Sequence, residues 1–228
     1  MNRFDCSASS LSRPDIKSLS FCLMIYPSQQ FFYVCFLCDS IRLLYVHSVW
    51  IFLNWQIITV RDPFHRIVSA YNGKIRPDGP GFTHVYEPLS RRINRRYKNL
   101  RRKKSERNET YDGTATFEDF VNFLLYDRNQ KDDHWNLYDV ICTPCRHSYD
   151  FIAKFETLSE DLAYLEHLFN ISSEHKKVFF PSRKMRTNDE MVRQYFARIP
   201  VDAAISLYKM YANDFMIFGY DKPKWLVW

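Results

Sequence analysis

The stretch Ile57-Ile58-Thr59-Val60 runs directly into Arg61-Asp62-Pro63-Phe64-His65-Arg66-Ile67-Val68-Ser69-Ala70-Tyr71, and it leaves this chain few folds to choose from. Four apolar or β-branched residues without Gly or Pro suit a buried strand. Asp62-Pro63 then supplies a helix cap followed by proline at the first helical position, where a missing N–H costs nothing. From there Phe64, Ile67, Val68 and Tyr71 recur at the i, i+3, i+4, i+7 spacing of a buried helical face, while Asp62, His65, Arg66 and Ser69 share the opposite one. The pattern predicts a strand, a tight turn at Arg61 and a helix, with Ser69 directed away from the core.

A guanidinium at a strand end, a hydroxyl two turns along and a helix N-terminus beside them offer donors and positive potential to a doubly charged phosphate. On these physical grounds alone, an Arg paired with Asp62 and a serine bonded back to its own helix fit equally well.

Further along, Thr116 caps a helix with the stripe Phe117, Phe120, Val121, Leu124 and Leu125. Tyr149 to Phe155 alternates like a second strand, and Thr157 with Glu160 reads as a capping box for a helix carrying Leu162, Leu165 and Phe169. A helix through Ile205, Tyr208 and Tyr211 precedes a short closing segment, Asp214 to Tyr220. Strands alternating with helices predict an α/β layer with a mainly parallel sheet, where ligands gather at the carboxyl ends of strands. Arg61 stands at such an end.

The Arg61 to Tyr71 run resembles the 3′-phosphate-binding motif, Arg-Asp-Pro-Phe-x-Arg-Leu-Val-Ser-Ala-Tyr, of the Golgi carbohydrate sulfotransferases. That family includes the chondroitin, dermatan and N-acetylgalactosamine 4-O-sulfotransferases and the natural-killer-epitope sulfotransferase. Ordered secondary landmarks extend the resemblance from about Ile57 to Tyr220: Thr116 to Val121, Asp133-His134-Trp135, Cys142 with Cys145, Tyr149 to Ile152, Lys154 to Leu158, and Asp214-Phe215 with Phe218-Gly219-Tyr220. The resemblance implies a nucleotide-kinase-like parallel sheet flanked by helices. It also implies donor binding by Arg61 and Ser69, which would grip the 3′-phosphate of 3′-phosphoadenosine 5′-phosphosulfate. No metal is expected. The implied acceptor is a glycan or proteoglycan hydroxyl, and the implied location is the Golgi membrane with a luminal catalytic domain.

The family also keeps an upstream lysine-rich loop, Lys-Val-Ala-Cys-Thr-x-x-Lys, that clasps the 5′-phosphosulfate. Nothing in residues 1–55 matches it, and Lys17 is the only lysine there. The expected fold is therefore incomplete at its N-terminus, and a catalytically inactive donor- or glycan-binding remnant stands as the alternative to a sulfotransferase.

With 228 residues, of which 46% are hydrophobic and only 5 are Gly, the chain can bury one full core. The expected division is an atypical apolar segment over 1–55, a sulfotransferase domain over 56–222 and a tail over 223–228. Apolar blocks at Phe21 to Met24, Phe31 to Cys38 and Leu43 to Leu53 are broken by polar residues, so no uninterrupted span reaches about 20 residues. Leu43 to Val60 is the best candidate for membrane anchoring, although the strand before Arg61 claims its end. Acceptor triplets for glycosylation begin at Asn108 and Asn170.

The net charge of +6 favours anionic partners. Much of it sits between Arg91 and Arg107, which fits either a solvated helix face or a hold on a sulfated or carboxylated glycan. A nucleic-acid-binding module is the least favoured reading, because neither a recognisable motif nor an aromatic stacking series accompanies the basic run. Oligomeric state leaves no mark on the sequence.

Sulfuryl transfer needs aligned reactants, neutralised leaving-group charge and a base for the hydroxyl proton. His134 is the candidate catalytic base, with Asp132 and Asp133 to orient it and Trp135 as an aromatic platform for a sugar; Glu118 and Glu156 are alternatives. Cys142 and Cys145 fit zinc-ligand spacing, with Cys35 and Cys38 a second pair. The luminal address implied by the resemblance favours disulfide participation instead.

Overall fold

A computed structural model of the protein describes residues 57–100, 113–127, 132–147, 149–168 and 187–228. The apolar blocks before residue 57, both glycosylation triplets, Cys35, Cys38, Phe169 and the basic residues from Arg101 to Arg107 lie outside the described residues. No helix among the described residues is long and apolar enough to cross a membrane.

The chain divides into two compact units, one built from residues 57–61 and the segment from Tyr138 to Leu168, the other from Asp62 to Leu137 and the final helices. In the first, β1 (Ile57–Val60) pairs in parallel with β2 (Phe151–Lys154), in the register Ile57 to Phe151 through Val60 to Lys154. Ile58 and Val60 are the buried pair of β1, as strand alternation demands. The one-turn helix α4 (Tyr138–Ile141) precedes β2, and a 3₁₀ turn over Phe155–Thr157 leads from β2 into α5 (Leu158–Leu168).

α5 packs on β2 through Leu165 and a stack of Tyr164 on Phe151, with ring centroids 5.6 Å apart. Its entry differs from the expected capping box. Asp161, not Glu160, does the tying: its Oδ2 accepts the Lys154 N–H at 2.8 Å and the Thr157 hydroxyl at 3.1 Å. The 3₁₀ turn rotates the chain so that the carboxylate one residue later meets those donors, while Glu160 faces solvent.

The second unit is helical. α1 (Pro63–Ala70) runs without a break into a π-helical turn, Tyr71–Ile75, followed by α2 (Tyr86–Tyr97), α3 (Phe117–Tyr126), α6 (Asp189–Phe196), α7 (Val201–Met210) and α8 (Ala212–Ile217). Thr116 and Asp119 form the reciprocal capping box of α3, and Asn188 caps α6 by accepting the Met191 N–H. The loop after the π turn doubles back on it, with the Gly81 N–H 2.7 Å from the Gly73 carbonyl. That approach is too close for a side chain: a Cβ on Gly79 would stand 2.3 Å from the Asn72 carbonyl oxygen.

Aromatic packing holds this unit together. Phe64 stacks on Phe196 at 4.3 Å and meets the edge of Phe215 at 5.3 Å, and Trp135 meets Phe120 edge-on at 5.3 Å. The final residues join the core as well: Leu226 is buried and Trp225 stacks on Phe64 at 5.9 Å. Ser90, fully buried on α2, donates to the Ile75 carbonyl at 2.8 Å and accepts the Ala115 N–H at 3.0 Å. One hydroxyl thereby joins the π turn, α2 and the approach to α3.

Candidate active site

The predicted strand, turn and helix are all present. Asp62 Oδ1 accepts the Phe64 and His65 N–H groups at 2.9 and 3.0 Å, and Pro63 occupies the first helical position. With that oxygen committed to the helix end, Asp62 acts as the cap that its place before proline predicts.

Arg61, in the first unit, sits at the carboxyl end of β1 and is 6% exposed. Its N–H donates to the Tyr138 hydroxyl at 3.2 Å, and its guanidinium lies 4.6 Å from the centroid of the Phe155 ring. Packing against a ring face fixes the plane of the guanidinium fork, the geometry that two-point anion recognition uses. Ser69, in the second unit, lies on the second turn of α1 and is partly exposed. Among the described residues its hydroxyl takes no partner, so the back-bonded alternative is not the arrangement found.

The other residues expected on the solvent side of α1 are buried. Arg66 is 3% exposed; its Nη1 donates to the Asn136 carbonyl at 2.7 Å and its Nη2 to the Asp133 carbonyl at 2.6 Å. His65 places Nε2 2.9 Å from Asp189 Oδ1 at the start of α6. Periodicity assigned both to the exposed face because they are polar. Tertiary neighbours cover that face, and each residue makes a polar contact with a partner far away in sequence.

Arg66 therefore fastens α1 to the loop that carries the candidate base. In that loop Asp132 Oδ1 accepts the His134 backbone N–H at 2.9 Å and lies 2.7 Å from His134 Nδ1. The Tyr86 hydroxyl, from the start of α2, donates to Asp132 Oδ2 at 3.0 Å and stands 3.3 Å from the same ring nitrogen. Burial alone would raise the Asp132 carboxyl. The His134 ring, the His134 backbone N–H and the Tyr86 hydroxyl outweigh burial and hold it below the ordinary range. Asp133 moves the other way, pushed up by burial and by the charge of Asp132.

A carboxyl held low in the folded state adds stability above the ordinary carboxylate range and loses it as pH falls through the lowered value. Asp132→Asn is expected to cost about 1 kcal/mol at neutral pH. In denaturant titrations the gap between variant and parent should close below about pH 4.

Trp135 is not a sugar platform. It is 1% exposed and ringed by Phe120, Phe123 and Tyr86, and its carbonyl accepts the Tyr211 hydroxyl. An indole wedged into the core anchors the loop and offers no face to a ligand. Of the alternative bases, Glu118 is buried in the first turn of α3 and Glu156 lies on the 3₁₀ turn. Cys145 is disulfide-bonded, whereas Cys142 is a buried thiol. The described residues hold no cluster of three or more metal-ligating side chains.

Sequence reasoning passed over Tyr86 and Arg66 as functional parts. Tyr86 is 48 residues from His134 and no spacing rule links them. Arg66 had a signal, a second arginine in the turn-and-helix run, but its polarity made it look solvent-facing.

The model of the sulfotransferase family matches residues 48–221. Carbohydrate sulfotransferase 12 of Mus musculus is 33% identical over 175 residues, which cover 74% of this chain and 41% of the relative. Carbohydrate sulfotransferase 11 of Rattus norvegicus is 32% identical over 182 residues, 75% of this chain and 48% of the relative. Carbohydrate sulfotransferase 9 of Homo sapiens is 30% identical over 174 residues, 74% of this chain and 38% of the relative. The chain thus spans less than half the length of these curated relatives, and no solved structure gives a significant match. With the strand, the capped turn and the helix in place and the family model covering most of its length, the chain belongs to the sulfotransferase family.

Proposed function

We propose that this protein is a carbohydrate O-sulfotransferase that moves the sulfuryl group of 3′-phosphoadenosine 5′-phosphosulfate onto a glycan or proteoglycan hydroxyl. The observation that carries the reading is the segment from Ile57 to Tyr71. It ends a strand on a ring-packed guanidinium, caps the following helix with Asp62-Pro63 and leaves the Ser69 hydroxyl open on that helix. Arg61 and Ser69 would hold the 3′-phosphate and so orient the donor, the former through two-point charge-assisted bonds and the latter through one hydroxyl. The names of the relatives support a carbohydrate acceptor. A Golgi-luminal site of action, with membrane anchoring, follows from the family resemblance.

Titration calorimetry with 3′-phosphoadenosine 5′-phosphate tests the donor site. Arg61→Ala is expected to weaken binding by about 2 to 4 kcal/mol, a factor of roughly 30 to 1,000. Ser69→Ala should lose about 1 kcal/mol. Unchanged nucleotide affinity in Arg61→Ala would contradict the assignment. Radiolabelled-sulfate transfer to desulfated chondroitin, desulfated dermatan and simple N-acetylgalactosamine acceptors tests the reaction. Nucleotide binding without transfer to any of them would favour a binding-only protein.

A further inference from the structure

We infer that Asp132 and Tyr86 are positioning residues that set His134 as the proton acceptor of the transfer, with Nε2 as the basic atom. The inference rests on the transferase reading above.

An imidazole can act as a base only through a ring nitrogen that carries a lone pair and can be reached by the acceptor. A carboxylate oxygen 2.7 Å from Nδ1 selects the tautomer with its proton on Nδ1, because only that form donates to Asp132. The lone pair is then on Nε2. Among the described residues Nε2 has no partner, and the side chain is 33% exposed. Asp132 is itself fixed: Oδ1 also holds the His134 backbone N–H at 2.9 Å, and Oδ2 takes the Tyr86 hydroxyl at 3.0 Å. The carboxylate can neither rotate nor turn its second oxygen to solvent without losing a bond.

The loop around this pair is held to the same degree. Arg66 binds the carbonyls of Asp133 and Asn136 on either side of His134, and the Tyr211 hydroxyl binds that of Trp135. Buried donors from α1 and from the end of α7 are thus committed to the described loop over residues 132–137, in which the imidazole is part-exposed and Asp133 exposed. A loop with only a packing role could be tied by Trp135 alone. Because Arg66 lies on the same helix as Ser69, the ring is held to the helix proposed to carry the donor.

Asp132, Asp133 and Tyr86 face the imidazole, with Lys74 standing 5.1 Å over the Tyr86 ring. In the transfer, the glycan hydroxyl oxygen forms a bond to sulfur as the sulfur–oxygen bond to the 5′-phosphate breaks. The electron pair leaves with 3′-phosphoadenosine 5′-phosphate, and the hydroxyl proton passes to Nε2. Asp132 then faces the imidazolium, as the buried aspartate does in the Ser-His-Asp triad of hydrolases.

The test combines kinetics with imidazole ¹⁵N spectra of the full chain. His134→Ala is expected to lower kcat about 100-fold or more and to recover part of it on adding free imidazole. Asp132→Asn is expected to lower kcat about tenfold or more, and Tyr86→Phe less. All three should leave affinity for 3′-phosphoadenosine 5′-phosphate within about twofold, which separates these losses from misfolding. In the spectra the parent should show the Nδ1-protonated ring, and Asp132→Asn should shift the population toward the other tautomer. Full turnover in His134→Ala overturns the inference, as does Asp132→Asn with parental kcat and tautomer. If the parent binds nucleotide but transfers no sulfate to any acceptor, the transferase reading itself fails, and the tautomer spectra then report only the Asp132–His134 pairing.

Discussion

Arg66→Met is expected to remove about 3 to 5 kcal/mol of folding stability, a large share of the roughly 5 to 15 kcal/mol that holds a typical domain folded. Two short charge-assisted bonds, to the carbonyls of Asp133 and Asn136, vanish together in a site that water does not reach. Methionine matches much of the volume but donates nothing, so both carbonyls must find new partners or the loop must open. The loss should show as a lower midpoint in denaturant unfolding. It should also show as faster amide exchange across residues 132–137 under conditions where α3 stays protected. A midpoint within experimental error of the parent would mean that the loop does not depend on this arginine.

Phe64→Ala should be as costly, about 3 to 5 kcal/mol, for a different reason. The ring is fully buried and touches Phe196, Phe215, Tyr208 and Trp225, so truncation empties a space bounded by stiff aromatic neighbours that collapse poorly. Because it lies in the first turn after the Asp62 cap, the cavity opens beneath the start of α1. Phe64→Leu fills most of the volume and is expected to cost half as much or less. Thermal unfolding of the two variants side by side checks this. Equal losses would point to a specific aromatic contact rather than to volume.

These two positions also show where sequence reasoning succeeds and where it stops. Phe64 was legible, because an apolar residue on a strict helical period has one plausible destination, and the Phe64, Ile67, Val68 and Tyr71 face is buried as its spacing requires. Arg66 was not. Its burial depends on carbonyls nearly seventy residues away, and periodicity weighs polarity without knowing what will arrive to satisfy it.

The same limit explains Trp135, assigned to a ligand face because it neighbours a candidate base and found in the core instead. Asp161 replaced Glu160 as the tie at α5 because a 3₁₀ turn shifted the register by one residue.

By itself the sequence determined the local architecture around Arg61. Strand propensity, a capped turn with proline at the first helical position and an uninterrupted helical stripe act between residues a few positions apart, and local energetics specify them without help. Tertiary structure alone decided which polar side chains became fixtures of the interior and which kept a reactive face. The Tyr86, Asp132 and His134 grouping, and the Arg66 tie beneath it, join three elements distant along the chain. Hydrogen bonds of that kind form only once the hydrophobic core has brought their donors and acceptors together and excluded the water that would otherwise satisfy them.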